Sequence, residues 1–274
     1  MAARGRRQRG ARTGGAGPDD LHQLYGIHPV LEALRARRRQ LYRLRVRAGR
    51  QRPELREAAA AASALGVPVQ EVVPEQLAAA LPQGLQSQGV LLECGPVPEV
   101  PLAELARAAQ GPRTLVALDG VEDPQNLGAI LRVAEAAGAG GLLLTRHRAP
   151  PLSPAVARAS AGALEWLPVA RVPNLARALN YLKSKGFWIF GGEPEAPEDL
   201  FGLPERVIGG DRVVVLGAEG RGLRPGIAGV LDHRVQIPMA GRIGSLNVSA
   251  AAAVLLFELR RRSGRLARSG DLTY

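Results

Sequence analysis

Three short clusters carry the residue types that bind ligands or move protons. The first is Asp123-Pro124-Gln125-Asn126-Leu127-Gly128, with Arg132 six positions beyond Asn126. The second is Gly217-Ala218-Glu219-Gly220-Arg221-Gly222-Leu223. The third runs from Ile237-Pro238-Met239 through Gly241, Arg242 and Gly244 to Ser245-Leu246-Asn247-Val248-Ser249. Side chains such as Ser245, Asn247 and Ser249 at a helix start can cap the free backbone N–H groups, or leave them to face a ligand. Three glycines at a strand end let the backbone wrap a ligand and expose its N–H and C=O groups, or make an ordinary turn. Arg132 can contact a phosphate or pair with Glu135 three positions on. Asn126 and Arg132 do not share a face of a regular helix, so their chemistry would have to converge through the bend before it.

Other chemistries lack their residues. No G-x-G-x-x-G follows an early strand, and no G-x-x-x-x-G-K-[ST] is present, which removes the common dinucleotide and P-loop signatures. His22, His28, His147 and His233 are scattered, and Cys94 is alone, so no metal site and no disulfide framework is expected.

Alternating strands and helices are expected to position the clusters. In a first unit, a helix opens at His28-Pro29 and runs to about Arg38. The alternation L-Y-R-L-R-V predicts a half-buried strand over Leu41 to Val46. A helix over Pro53 to Leu65, a strand over Val67 to Val73, a short helix over Pro74 to Leu81 and a strand from Val90 to Glu93 complete it. Four prolines between Pro96 and Pro112 mark a linker, with a helical turn around Leu102 to Ala109.

The second unit begins with the apolar run Thr114 to Leu118. Asp123 then caps a helix with Pro124 in its first turn, and Leu127, Ile130, Leu131 and Ala134 keep helical spacing. Strands are expected over Gly141 to Thr145, Glu165 to Val172, Phe187 to Phe190 and Val213 to Leu216. Helices are expected over Ala155 to Ala163 and Asn174 to Lys185. A last strand from Val235 leads through the Gly-containing loop into an Ala- and Leu-rich helix ending at Arg262. This alternation predicts a parallel sheet covered on both faces, with ligands at the strand ends marked by Asp119-Gly120, Leu216 to Gly220 and Pro238 to Gly241.

Charge narrows the partners. The 274-residue chain carries a formal charge of +11, and such a basic protein usually meets a polyanion, with nucleic acid the default. Arg4, Arg6, Arg7, Arg9 and Arg12 precede the first acid, and no acid lies between Arg35 and Arg52. Arg35, Arg38, Arg43 and Arg45 are therefore the candidate RNA contacts. No apolar run reaches membrane-spanning length and no signal-peptide core is present, so a cytoplasmic location without a membrane partner is expected.

Each cluster is weak alone, but their order and spacing are specific. N-x-G-x-x-x-R, then G-x-E-G-x-G-L, then I-P-M-x-x-x-x-x-S-L-N-V-S-x-A resemble the three signature motifs of the SpoU (TrmH-type, SPOUT-superfamily) RNA ribose 2′-O-methyltransferases. Tyr25-Gly26-Ile27-His28-Pro29-Val30, Gln88-Gly89-Val90 and Asp119 to Pro124 resemble the 23S rRNA guanosine 2′-O-methyltransferase (RlmB-type) branch. Arg242 is a mild departure, standing where related sequences often have small or polar residues.

The resemblance implies an α/β fold: a parallel-sheet catalytic domain with a deep trefoil knot, after a small ribosomal-protein-like RNA-binding domain. The divisions expected are an arm over 1–20, a substrate-binding domain over 21–97, a linker over 98–112, the methyltransferase domain over 113–263 and a tail over 264–274. It implies a homodimer with composite active sites, using S-adenosyl-L-methionine to methylate a ribose 2′-hydroxyl in RNA, with a 23S rRNA guanosine as the target its branch implies. Arg132 would be the central catalytic residue, with Asn126, Glu219, Ser245 and Asn247 completing the site. Leu216, Gly217, Gly220, Ile237, Met239 and Leu246 would hold the cofactor. Arginine stays protonated, so Arg132 is read as an electrostatic clamp rather than a base. The alternatives are a tRNA ribose 2′-O-methyltransferase and a non-catalytic RNA-binding assembly factor.

Overall fold

The structure, a computed structural model, describes residues 21–49, 52–107 and 113–263. The expected arm over 1–20 and tail over 264–274 lie outside the described residues. The first unit comprises β1 (His22–Tyr25), α1 (Ile27–Ala36), β2 (Leu41–Arg47), α2 (Pro53–Ala64), β3 (Val69–Val72), α3 (Pro74–Ala79) and β4 (Val90–Cys94). Its sheet has the order β1-β4-β2-β3, with β4 antiparallel to both neighbours and β3 parallel to β2. The strand β1 has no counterpart in the sequence reading. Four residues are too short to show a period, and its edge place comes from pairing with β4, far along the chain. Gln88 explains part of the motif at Tyr25 to Val30. Its side-chain oxygen accepts the Ile27 N–H at 2.9 Å and so caps α1, which opens after Gly26 at φ 92°.

The connecting stretch includes α4 (Leu102–Leu105). It packs against the second unit: the Val100 N–H donates to the Val169 carbonyl at 2.9 Å, and Leu105 is buried. The second unit then runs β5 (Thr114–Asp119), α5 (Pro124–Ala136), β6 (Gly141–Thr145), α6 (Pro154–Ala159), β7 (Val169–Val172), α7 (Leu175–Lys183), β8 (Trp188–Gly192), β9 (Glu198–Asp199), α8 (Glu205–Ile208), β10 (Arg212–Gly217), α9 (Pro225–Ala228), β11 (His233–Gln236) and α10 (Val248–Arg262). These strands form one seven-stranded sheet of order β7-β6-β5-β10-β8-β11-β9, parallel at every pairing.

Both faces of that sheet are covered, as continuous apolar strands require. Val116, Leu118, Val214 and Leu216 point into one core with α5 and α10. Leu115, Ala117, Val213 and Val215 point into the other, with α7 and α9. The predicted stripe Leu127, Ile130, Leu131 and Ala134 is wholly buried on α5. Gly128 lets α5 approach α6, because a Cβ there would lie 2.3 Å from that of Ala159.

Two expectations are corrected between α6 and β7. The helix ends at Ala159 because Ala161 and Gly162 take left-handed φ values of 51° and 91°. The strand begins at Val169 rather than Glu165, since Ala163–Glu165 form a 3-10 turn. That turn carries Glu165 into the seam between the units, where its carboxylate meets Arg39 at 2.8 and 2.9 Å. Neither side chain of this pair has any exposed surface. Among the described residues no helix is long and apolar enough to cross a membrane, and no group of His, Cys, Asp and Glu could hold a metal ion.

Candidate active site

The C-terminal ends of β8, β10 and β11 and the start of α10 enclose a cleft of about 650 Å³. A volume of this size suits a small-molecule ligand. Leu216, Gly217, Gly220, Ile237, Met239 and Leu246, the six residues expected to hold a cofactor, all line it. Glu219, Ser245 and Asn247 line it too. The loop after β10 is held tightly. A Cβ on Gly217 would sit 2.3 Å from the Gly222 carbonyl carbon, and Gly220 and Gly222 have φ values of 74° and 61°. The Gly222 N–H donates back to the Ala218 carbonyl at 2.9 Å, closing the loop. Below it, the wholly buried Asp119 carboxylate accepts the Arg224 N–H at 3.0 Å and its Nε at 2.7 Å. The Asp119 bond raises the Arg224 pKa above its ordinary value.

One carboxylate ties the three sequence clusters together. Glu219 Oε1 accepts from Asn247 Nδ2 at 2.5 Å, from Asn126 Nδ2 at 3.3 Å and from the Val248 N–H at 3.4 Å. Asn247 Nδ2 also donates to Asn126 Oδ1 at 3.0 Å. Asn247 is at the same time the N-cap of α10, its Oδ1 accepting the Ser249 N–H at 2.9 Å and the Ser249 hydroxyl at 2.6 Å. Capping and membership of the site, alternatives in the sequence, are one arrangement here. A carboxylate at a helix N-terminus is favoured by the helix dipole, which helps to hold Glu219 there. Asp123 caps α5 in the same way, accepting from Gln125 and Asn126 at 3.0 and 3.3 Å, and so fixes the backbone that aims Asn126.

The lining fits S-adenosylmethionine. Ile237, Met239, Leu246 and Leu255 offer an apolar face for an adenine ring, and the loop from Gly217 to Gly222 offers close-set peptide groups for its polar edges.

Residues 113–257 match the SpoU rRNA Methylase family, and residues 23–100 match the family of RNA 2′-O ribose methyltransferase substrate-binding domains. The chain belongs to the SpoU rRNA Methylase family. This SpoU chain is 37% identical over 249 residues to the 23S rRNA (guanosine-2′-O-)-methyltransferase RlmB of Pseudomonas syringae pv. tomato, covering 89% of this chain and 98% of that protein. It is 38% identical over 246 residues to the enzyme of the same name from Ralstonia nicotianae, covering 88% and 96%. Among solved structures it resembles an AdoMet-bound rRNA methyltransferase from Sinorhizobium meliloti, with TM-score 0.72 and 28% identity over 89% of this chain and 88% of that one. An RNA 2′-O ribose methyltransferase structure gives TM-score 0.73 at 29% identity, covering 89% of each chain.

In the SpoU chain the structure does not bring every expected residue together. Arg132 is exposed on α5, outside the cleft lining, and makes no hydrogen bond to the Asn126–Glu219–Asn247 cluster. Six positions along a helix turn it roughly 240° and raise it about 9 Å from Asn126. The alternative for Arg132, an ion pair with Glu135, is not formed either.

The four arginines expected to contact RNA all have partners within the chain. Arg35 holds Glu32 and Glu57 at 2.5 and 2.6 Å, and the Glu57 bond raises its pKa. Arg43 and Arg45 share Glu93 at 3.2 and 2.7 Å. Arg38 donates to the carbonyls of Glu165 and Leu167, both at 3.2 Å, and burial lowers its pKa. It therefore stitches the two units together. Among the described residues, Arg132, Arg146, Arg148, Arg221 and Arg242 have no such partner.

The end of β8 was missed. Gly192, Glu193 and Pro194 line the cleft, and the Gly-Gly pair at a strand end was the available signal. A Cβ on Gly192 would lie 2.9 Å from Leu255.

Proposed function

We propose that this protein transfers a methyl group from S-adenosyl-L-methionine to a ribose 2′-hydroxyl of RNA, with a guanosine of 23S rRNA as its target. The observation that carries the reading is the Glu219 hub, which joins all three family motifs on the rim of a cofactor-sized cleft. The two RlmB relatives, similar over nearly their whole length, support the rRNA target.

Bound S-adenosylmethionine supplies an electrophilic methyl on a sulfonium that leaves readily. The protein then has mainly to align the attacking oxygen and manage its proton. Glu219 is a positioning residue: it orients the amides of Asn126 and Asn247 toward the incoming ribose. Ser245 offers a hydroxyl at the cleft mouth. Arg132 steadies the charge that develops on the 2′-oxygen and contacts a substrate phosphate.

The position of Arg132 outside its own cleft suits a site completed across a homodimer. Apolar surface is available for a second copy. Ile243 is 73% exposed and Phe257 42%. The reading includes the trefoil knot around the cleft, a substrate-binding domain over 21–97 joined by 98–112 to a methyltransferase domain over 113–263, and action in the cytoplasm.

The test is transfer of labelled methyl from S-adenosylmethionine to protein-free 23S rRNA and, separately, to bulk tRNA, with the modified ribose mapped. Label on one 23S guanosine 2′-oxygen is expected. Label on tRNA alone would keep the chemistry and move the target. Cofactor binding with no transfer to either RNA would point to an assembly intermediate as the substrate, and no cofactor binding at all would leave a binding factor as the better account.

A further inference from the structure

A second cavity, of about 310 Å³, opens at the C-terminal ends of β6 and β7. Its lining includes Thr145, His147, Arg148, Asn174, Arg224 and Ile227, and no acidic side chain lines it. Ligands of parallel α/β sheets bind on this side.

The loop that carries the basic residues is held in place. The Thr145 hydroxyl donates to the His147 carbonyl, and Arg171 donates to the carbonyls of Thr145 and Pro150 at 3.4 and 2.8 Å. Arg171 in turn is anchored on Glu99 at 2.6 Å. Arg148 thus sits on a pinned loop, with a left-handed φ of 61°. It has no ion pair or side-chain hydrogen bond among the described residues.

The linings of this cavity and of the cleft come within two residues of each other along the chain. Gly222 lines one and Arg224 the other. Two residues of chain span at most about 7 Å. Asp119 fixes Arg224 through its N–H and its guanidinium. The surroundings suit a phosphodiester: a fixed loop, a free guanidinium, a second guanidinium held from behind, and no carboxylate in the lining. The volume leaves room for a base beside the phosphate.

We propose that this cavity is a second RNA subsite, taking the phosphate and base of a nucleotide next to the one whose ribose is methylated. The proposal rests on the RNA-methylating reading above. It adds substrate recognition on the second unit itself, in the unpaired Arg148 and in His147, with Arg224 held behind them by Asp119.

The experiment measures binding of protein-free 23S rRNA to the full chain by filter retention across a salt series, alongside S-adenosylmethionine affinity and methyl transfer. Arg148→Ala should weaken RNA binding about 5- to 10-fold and make the log–log salt slope shallower by about 0.7, the share of one single-strand phosphate contact. Cofactor affinity and melting temperature should not move. Arg148→Lys should restore most of the affinity. Arg206→Ala, which removes an exposed charge before β10, should leave both affinity and slope alone. RNA affinity and slope at wild-type values in Arg148→Ala would overturn the subsite. RNA binding without methyl transfer by the wild type would refute the activity and still decide the subsite from the slopes. No RNA binding by the wild type would overturn both.

Discussion

Replacing Gly217 by alanine adds one methyl group where the structure has no room for it. The new carbon would lie 2.3 Å from the Gly222 carbonyl carbon, 2.4 Å from its oxygen and 2.6 Å from the Leu223 nitrogen. Ordinary van der Waals contact begins near 3.4 Å, so the loop must retreat by about an ångström. All three obstacles are backbone, so no side chain can swing away. The backbone is also tethered, by Gly222 to the Ala218 carbonyl and by Arg224 to Asp119. Overpacking of this kind costs about 1–3 kcal/mol. At roughly 2–4 °C per kcal/mol for a unit of this size, the melting temperature should fall by about 2–12 °C. The same retreat displaces the peptide groups that face the cleft, and S-adenosylmethionine affinity should drop at least tenfold, about 1.4 kcal/mol. Thermal melts with and without cofactor, together with titration calorimetry, measure both effects. Gly241→Ala is the control. It lies in the third motif, but nothing stands within 4 Å of its added Cβ, so it should melt and bind like the parent. A Gly217→Ala protein with the parent's melting temperature and cofactor affinity would refute the reasoning.

Arg132→Ala should lower methyl transfer by about two to three orders of magnitude, the usual effect of removing a transition-state donor, with cofactor affinity nearly unchanged in calorimetry. Retained turnover would end its assignment. Removing one half of the sealed Arg39–Glu165 pair, as in Glu165→Ala, should cost about 3–5 kcal/mol in urea unfolding, because the other charge stays buried without its partner. The double change of Arg39→Met with Glu165→Leu should recover much of that loss. Burial pushes the Cys94 thiol from 9.0 up to about 12. Iodoacetamide should therefore fail to label the native protein at pH 9 yet label it in denaturant, as mass spectrometry would show. Above about pH 9 the unfolded chain releases this proton and the folded chain keeps it, so stability should fall with further rise in pH, as denaturant midpoints at pH 8 and 10 would show.

The candidate site was legible where local chemistry and spacing carry it. Gly141–Thr145 is a strand as expected, and Asp123 and Asn247 cap the helices they precede. The six residues expected to hold a cofactor line one cleft because strand ends and the start of a helix can be read within a few residues. What stayed hidden depends on partners distant in the chain. The stretch L-Y-R-L-R-V looks like a bare basic face until β2 pairs with β4 and sets Arg43 against Glu93. Arg38 resembles a phosphate contact, but its acceptors are backbone carbonyls 127 and 129 positions away. No local pattern records such distances. The end of β8 does carry a local sign in its Gly-Gly pair, but its place in the cleft rests on packing against α10.

The Glu219 hub also sets when this protein can first work. Asn126 and Asn247 are 121 positions apart in the chain. A ribosome adding roughly 5–20 residues per second needs about 6–24 s to travel between them. Throughout that interval the first motif is already made, yet it lacks the partner that aims it. A nascent chain still attached to its ribosome therefore holds an unfinished site beside the very class of RNA its family modifies. Competence arrives only when α10 emerges and closes the hub.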